Sequence, residues 1–131
     1  VKEYMERVVA QARETGYVET IFGRRRYLPD IRSANSVVRS LAERNAINAP
    51  IQGSAADIIK IAMNRIHREF AARGIHSKVI LQVHDELVID MLREEQEEVT
   101  ALVREAMEHA ARLRVELVVE CGVGENWLEA H

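Results

Sequence analysis

Apolar positions recur at helical spacing in some stretches of the chain and alternate in others, which predicts a mixed order of helices and strands. Tyr4, Met5, Val8, Val9 and Ala12 share one stripe, predicting a helix over 2–14 that Gly16 stops. Residues 17–22 alternate, Gly23 turns the chain, and 24–28 return, predicting a short hairpin closed by Pro29-Asp30. After a polar loop at 33–36, a helix is expected over 37–47. Pro50 lacks an N–H and biases Ala49 away from helical geometry, which predicts a kink or break there. Ile51, Ala55, Ile58, Ile59, Ala62, Met63, Ile66 and Phe70 then predict a helix to about 73, ended by Gly74.

Two β-rich runs, 78–83 and 87–91, flank His84-Asp85-Glu86 and predict a second hairpin. A helix is expected over 94–113, with acids in its first turns where the dipole favours them, and a third strand over 115–120. The expected fold class is α+β: a small, three-stranded, mainly antiparallel sheet backed by the helices at 52–73 and 94–112. An N-terminal helix and hairpin precede it. Trp127 is expected to pack the tail onto the domain, and Met5, Met63 and Met107 to join apolar stripes.

The length of 131 residues suits one domain, and 47% hydrophobic with 30% charged residues suits a buried core. No apolar run approaches the roughly 18 residues of a membrane span. No signal peptide is visible, and a single cysteine, Cys121, excludes an internal disulfide and a cysteine-based zinc site. A soluble, cytoplasmic protein is the expectation. The net charge of −3 hides an asymmetry. Residues 1–78 carry 14 Lys/Arg against 8 Asp/Glu, whereas 79–131 carry 4 against 13. Such a division suits polyanion binding beside a metal site, and suits solvated helix faces still better.

The sharpest chemical signal is LQVHDELV at 81–88, where Asp85 and Glu86 stand at the junction of two apolar strands. Paired acids there are costly unless a cation binds them, and Mg²⁺ is a natural partner. Such an ion can activate an attacking oxygen and neutralise a transferring phosphoryl group. The same pattern also fits an ordinary turn residue and its exposed neighbour. Arg44, Asn48 and Gln52, at i, i+4, i+8, form a polar file suited to phosphates and base edges, or to a solvated face. Arg24, Arg25 and Arg26 at a hairpin tip suit phosphate contacts or a solubility patch. His67, His76 and His109 have no metal-ligand spacing and are expected at the surface.

Five segments carry a resemblance: 16–20 (GYVET), 23–30 (GRRRYLPD), 43–57 (ERNAINAPIQGSAAD), 82–88 (QVHDELV), and 124–127 (GENW) with His131. In this order they resemble the C-terminal end of bacterial family-A DNA polymerases, and the resemblance covers essentially the whole chain. It implies that residues 1–40 end the fingers subdomain and that 41–131 form the C-terminal half of the palm. It further implies that Asp85 is a metal-binding carboxylate supported by Glu86. Arg44, Asn48, Gln52 and His84 then lie near the primer terminus and minor groove. The implied partners are primer-template DNA and deoxynucleoside triphosphates, with two Mg²⁺ ions as cofactors. The family's second palm aspartate, its nucleotide-binding fingers helix and its thumb have no match here, so the chain is expected to be a piece of a polymerase, inactive alone. A non-catalytic nucleic-acid-binding module and a structural interaction domain are the alternatives.

Overall fold

A computed structural model describes all 131 residues. They fold as two compact units, Val1–Asp57 and Ile58–His131, whose boundary falls inside one long helix.

In the first unit, helix α1 (Lys2–Thr15) is followed by an antiparallel hairpin of β1 (Tyr17–Glu19) and β2 (Arg25–Tyr27), paired Tyr17 to Tyr27 and Glu19 to Arg25. Helix α2 (Ser36–Arg73) begins here. Asn35 caps it, its Oδ1 accepting from the backbone N–H of Val37 at 3.0 Å and of Val38 at 3.4 Å. Val8 and Ala12 of α1, Val18, Leu28 and Ile31, and Ala42, Ala46 and Ala49 of α2 form the buried core. Tyr4 and Val9 pack against it, whereas Met5 of the expected stripe is exposed.

The break expected at Pro50 does not occur: α2 runs through it without interruption. An interior proline removes one helical hydrogen bond and costs about 3 kcal/mol. Ala46 and Ala49, buried immediately before it, fix the helix by packing that local propensity does not register. The apolar stripe also starts later than expected. Ile51 is 60% exposed, and the buried side of the helix at Ser54 and Asp57 is polar, facing the hairpin.

In the second unit, β3 (Lys78–Val83) and β4 (Glu86–Asp90) form an antiparallel hairpin, with an irregularity between Val79 and Leu81. A 3₁₀ turn (Arg93–Glu95) leads into α3 (Gln96–Glu108), so the helix expected to reach 113 ends five residues earlier. Ile66 and Phe70 of α2 and Val99, Leu102, Val103 and Ala106 of α3 form the core. Val79, Leu87, Ile89, Met91 and Met107 pack against it, so the two helices back the hairpin as expected. The third strand expected at 115–120 is absent, and each sheet has two strands. A strand needs a neighbour for its backbone groups. Here Val118 is 76% exposed, and Val119 N–H donates to the Glu108 side chain at 3.1 Å instead of to a ladder. The tail ends in one helical turn, α4 (Trp127–Ala130), in which Trp127 is exposed and neighbours the His131 ring of the same tail, instead of packing the tail onto the domain as expected.

Candidate functional site

The β3–β4 hairpin closes through a two-residue loop, His84-Asp85, because Val83 pairs with Glu86. His84 alone of the two has a positive φ, 53°, a conformation uncommon outside glycine but enriched in histidine. Its carbonyl accepts from Gln82 Nε2 at 2.7 Å, which ties the loop to β3. Asp85 is exposed at the tip and forms no ion pair, while Glu86 begins β4 half-buried. The His131 Nε2 atom lies 3.2 Å from Glu86 Oε1.

The base of this hairpin is fixed by one carboxylate. Glu95 accepts from His76 N–H at 2.9 Å, and from the Ser77 N–H at 2.9 Å and hydroxyl at 2.7 Å. Those bonds, the His76 backbone first and the Ser77 side chain next, hold Glu95 below its ordinary pKa. Ser77 Oγ in turn accepts from Leu92 N–H at 3.0 Å, tying the start of β3 to the chain leaving β4.

No group of three or more His, Cys, Asp or Glu side chains comes together to hold a metal ion. Asp85 and Glu86 are nevertheless hard oxygen donors on adjacent residues. That donor set fits Mg²⁺, which is held by one or two carboxylates and completes its shell with water and phosphate oxygens.

In the first unit, Arg44, Asn48 and Gln52 are all exposed on the continuous α2. Residues four apart advance by about 40° around a helix, so the three lie within roughly 80° of one another. Pro50 does not turn Gln52 inward. Arg24, Arg25, Arg26 and Gln52 line a single groove of about 260 Å³ with Thr20, Pro50 and Gly53. Two sequence signals thus meet along one surface. Arg44 borders a separate hollow with Asp30, Val37 and Leu41.

The three arginines differ in their engagement. Arg24 Nε pairs with Asp57 Oδ1 at 2.8 Å, and its Nη2 donates to Gly53 O at 3.3 Å. Arg25 pairs with Glu19 at 3.0 Å and lies 4.3 Å from the Tyr17 ring centroid. Hydrogen bonds to Tyr27 and then Glu19 raise Arg25 further above its ordinary pKa. Arg26 forms no ion pair and is exposed. Sequence reasoning missed Ser54 and Asp57, which seat the hairpin: Ser54 Oγ accepts from Ile21 N–H at 2.9 Å. Their signals were polar side chains on the side of the helix expected to be apolar and their place in the 43–57 segment. It also missed His131 as a neighbour of Glu86, which no local pattern announces.

The model of DNA polymerase family A matches residues 1–129. The chain belongs to that family. It is 55% identical over 131 residues to DNA polymerase I of Pseudomonas aeruginosa, covering all of this chain and 14% of that protein. Against DNA polymerase I of Streptococcus pneumoniae it is 51% identical over 130 residues, covering 99% of this chain and 15% of that protein. Among solved structures, the POL domain of Pol1 from M. smegmatis, in complex with DNA primer-template and dNTP, superposes with a TM-score of 0.96 at 50% identity. That match covers 98% of this chain and 23% of the solved one. The chain therefore spans about one-seventh of the curated relatives it matches. No helix is long and apolar enough to cross a membrane.

Proposed function

We propose that this chain works as part of a DNA-directed DNA polymerase, supplying one carboxylate corner of the active site and part of the DNA-binding surface. The reaction is attack of a primer 3′-hydroxyl on the α-phosphate of a templated deoxynucleoside triphosphate, with release of pyrophosphate. The observation that carries this reading is Asp85, an exposed carboxylate without an ion pair at the tip of a two-residue turn, in a chain that belongs to DNA polymerase family A.

In this reading residues 1–40 belong to the fingers and 41–131 to the palm, and other segments of the same polypeptide complete the site. Asp85 and Glu86 would hold Mg²⁺, two ions being shared with carboxylates from those segments. An ion held by these two carboxylates would supply activation of the attacking oxygen and charge neutralisation at the transferring phosphoryl group. Asn48 and Gln52 offer amides to minor-groove acceptors, which sit in nearly the same place in every correct pair, and His84 lies beside the primer terminus. Arg26 and Arg44 are the cations free to meet phosphates. Arg24 and Arg25 act from within their pairs with Asp57 and Glu19, which leaves the rival reading, a non-catalytic module binding through Arg24, Arg25, Arg26 and Arg44, with two unpaired cations of its four.

The test is Asp85→Ala in the full-length polymerase that carries this segment. Synthesis is expected to be lost while primer-template affinity stays within a few-fold. Synthesis at the wild-type rate would refute the role.

A further inference from the structure

We propose that His131 is a positioning residue for the Asp85–Glu86 corner: the tail carries its imidazole to one oxygen of Glu86 and so fixes that carboxylate. The proposal rests on the polymerase reading above. His131 Nε2 lies 3.2 Å from Glu86 Oε1, the only ion-pair contact Glu86 makes.

The approach is not that of a loose end. Asn126 Oδ1 accepts from Glu129 N–H at 3.0 Å, and Glu129 Oε2 accepts from Glu125 N–H at 3.0 Å, closing the turn of α4 from both sides. Side chains on Gly122 or Gly124 would collide with Ala130 and Glu129, so the preceding loop lies directly on α4. Glu125 pairs with Arg93, tying the front of the turn to the 3₁₀ segment. The Trp127 ring lies 6.1 Å from the imidazole, tilted by 41°. The tail thus meets the 3₁₀ segment at Arg93 and places His131 beside the first residue of β4.

A half-buried glutamate at the start of a strand still has three rotatable bonds, and ordering them opposes the binding of any cation. An imidazole held against Oε1 restrains them in advance. Partners of this kind orient ligating carboxylates, and removing them weakens metal affinity or activity by about ten- to a hundredfold.

The experiment uses the full-length polymerase with a primer ended by a dideoxynucleotide. It measures Mn²⁺ binding by electron paramagnetic resonance, the Mg²⁺ dependence of incorporation on an extendable primer, and the melting temperature. His131→Ala is expected to raise the Mn²⁺ dissociation constant and the half-saturating Mg²⁺ on the order of tenfold. Primer-template affinity and melting temperature should hold. His131→Gln, whose amide nitrogen reaches Glu86, should stay near wild type, and His131→Asn, one methylene shorter, should behave like alanine. Arg93→Ala loosens the other anchor without touching Glu86 and should have the smaller effect on metal affinity. Unchanged Mn²⁺ affinity in both His131→Ala and His131→Asn overturns the proposal, as does an equal loss of melting temperature in Arg93→Ala and His131→Ala with no change in metal affinity. If Asp85→Ala abolishes synthesis in the same preparations, only the role of His131 fails. If it does not, the polymerase reading of the corner fails with it.

Discussion

Replacing Gly53 by alanine measures how closely the β1–β2 hairpin is seated on α2. A Cβ at this position would stand 2.7 Å from Thr20 Cγ2 and 3.5 Å from Arg24 Nη2. Carbon atoms in good contact are about 3.5–4.0 Å apart, so something must move. Thr20 is poorly placed to do so, because its Oγ1 accepts from Arg24 N–H at 3.2 Å and from Phe22 N–H at 3.3 Å. Rotating it away forfeits two hydrogen bonds worth about 1 kcal/mol each. Holding it in place overpacks the contact, at about 1–3 kcal/mol. Against this stands a gain of about 1 kcal/mol from putting alanine for glycine in a helix. The expected net result is destabilisation by about 1 kcal/mol. Thr20→Ser removes Cγ2 and keeps Oγ1, so in that background Gly53→Ala should instead stabilise by about 1 kcal/mol. The coupling in a double-mutant cycle is then on the order of 2 kcal/mol, read from urea unfolding of the four proteins. An equal effect of Gly53→Ala in both backgrounds would show that Thr20 does not limit the approach, and the seating of the arginine-bearing hairpin would need another account.

Ser77→Ala removes a buried hydroxyl, 4% exposed, that donates to Glu95 and accepts from Leu92. It should cost about 1–3 kcal/mol in chemical denaturation, and no measurable loss would contradict that bonding. Glu95 has a folded pKa below its ordinary 4.5, so its contribution is fully present above that pH and lost as pH falls through the lowered folded value. The gap in unfolding midpoint between wild type and Glu95→Gln should therefore shrink between neutral pH and pH values below 4.5, and a gap independent of pH speaks against the assignment. In the full-length polymerase, Asn48→Ala and Gln52→Ala should change extension from mispaired relative to paired termini while leaving the melting temperature nearly intact, since both side chains are exposed. A fall in melting temperature with unaltered discrimination would place Gln52 in a packing role instead.

Much of the architecture follows from spacing along the chain. The stripe from Tyr4 to Ala12 marks α1, the apolar runs on either side of 84–85 mark β3 and β4, and the Ile66, Phe70 face of α2 needs only its own period. The candidate carboxylates are legible for the same reason, since acids between two apolar strands stand out locally. What sequence spacing does not contain is the partner each element meets. Pro50 reads as a break because propensity sums over neighbours in sequence, while Ala46 and Ala49 hold the helix by packing against residues far from it in the chain. Val115 and Val118 read as strand, yet a strand exists only where a second backbone accepts its hydrogen bonds, and none does. Arg24 on Asp57 and His131 beside Glu86 join residues 33 and 45 positions apart. Their pairing was decided by the tertiary structure, because only folding brings polar groups that distant in sequence within contact range.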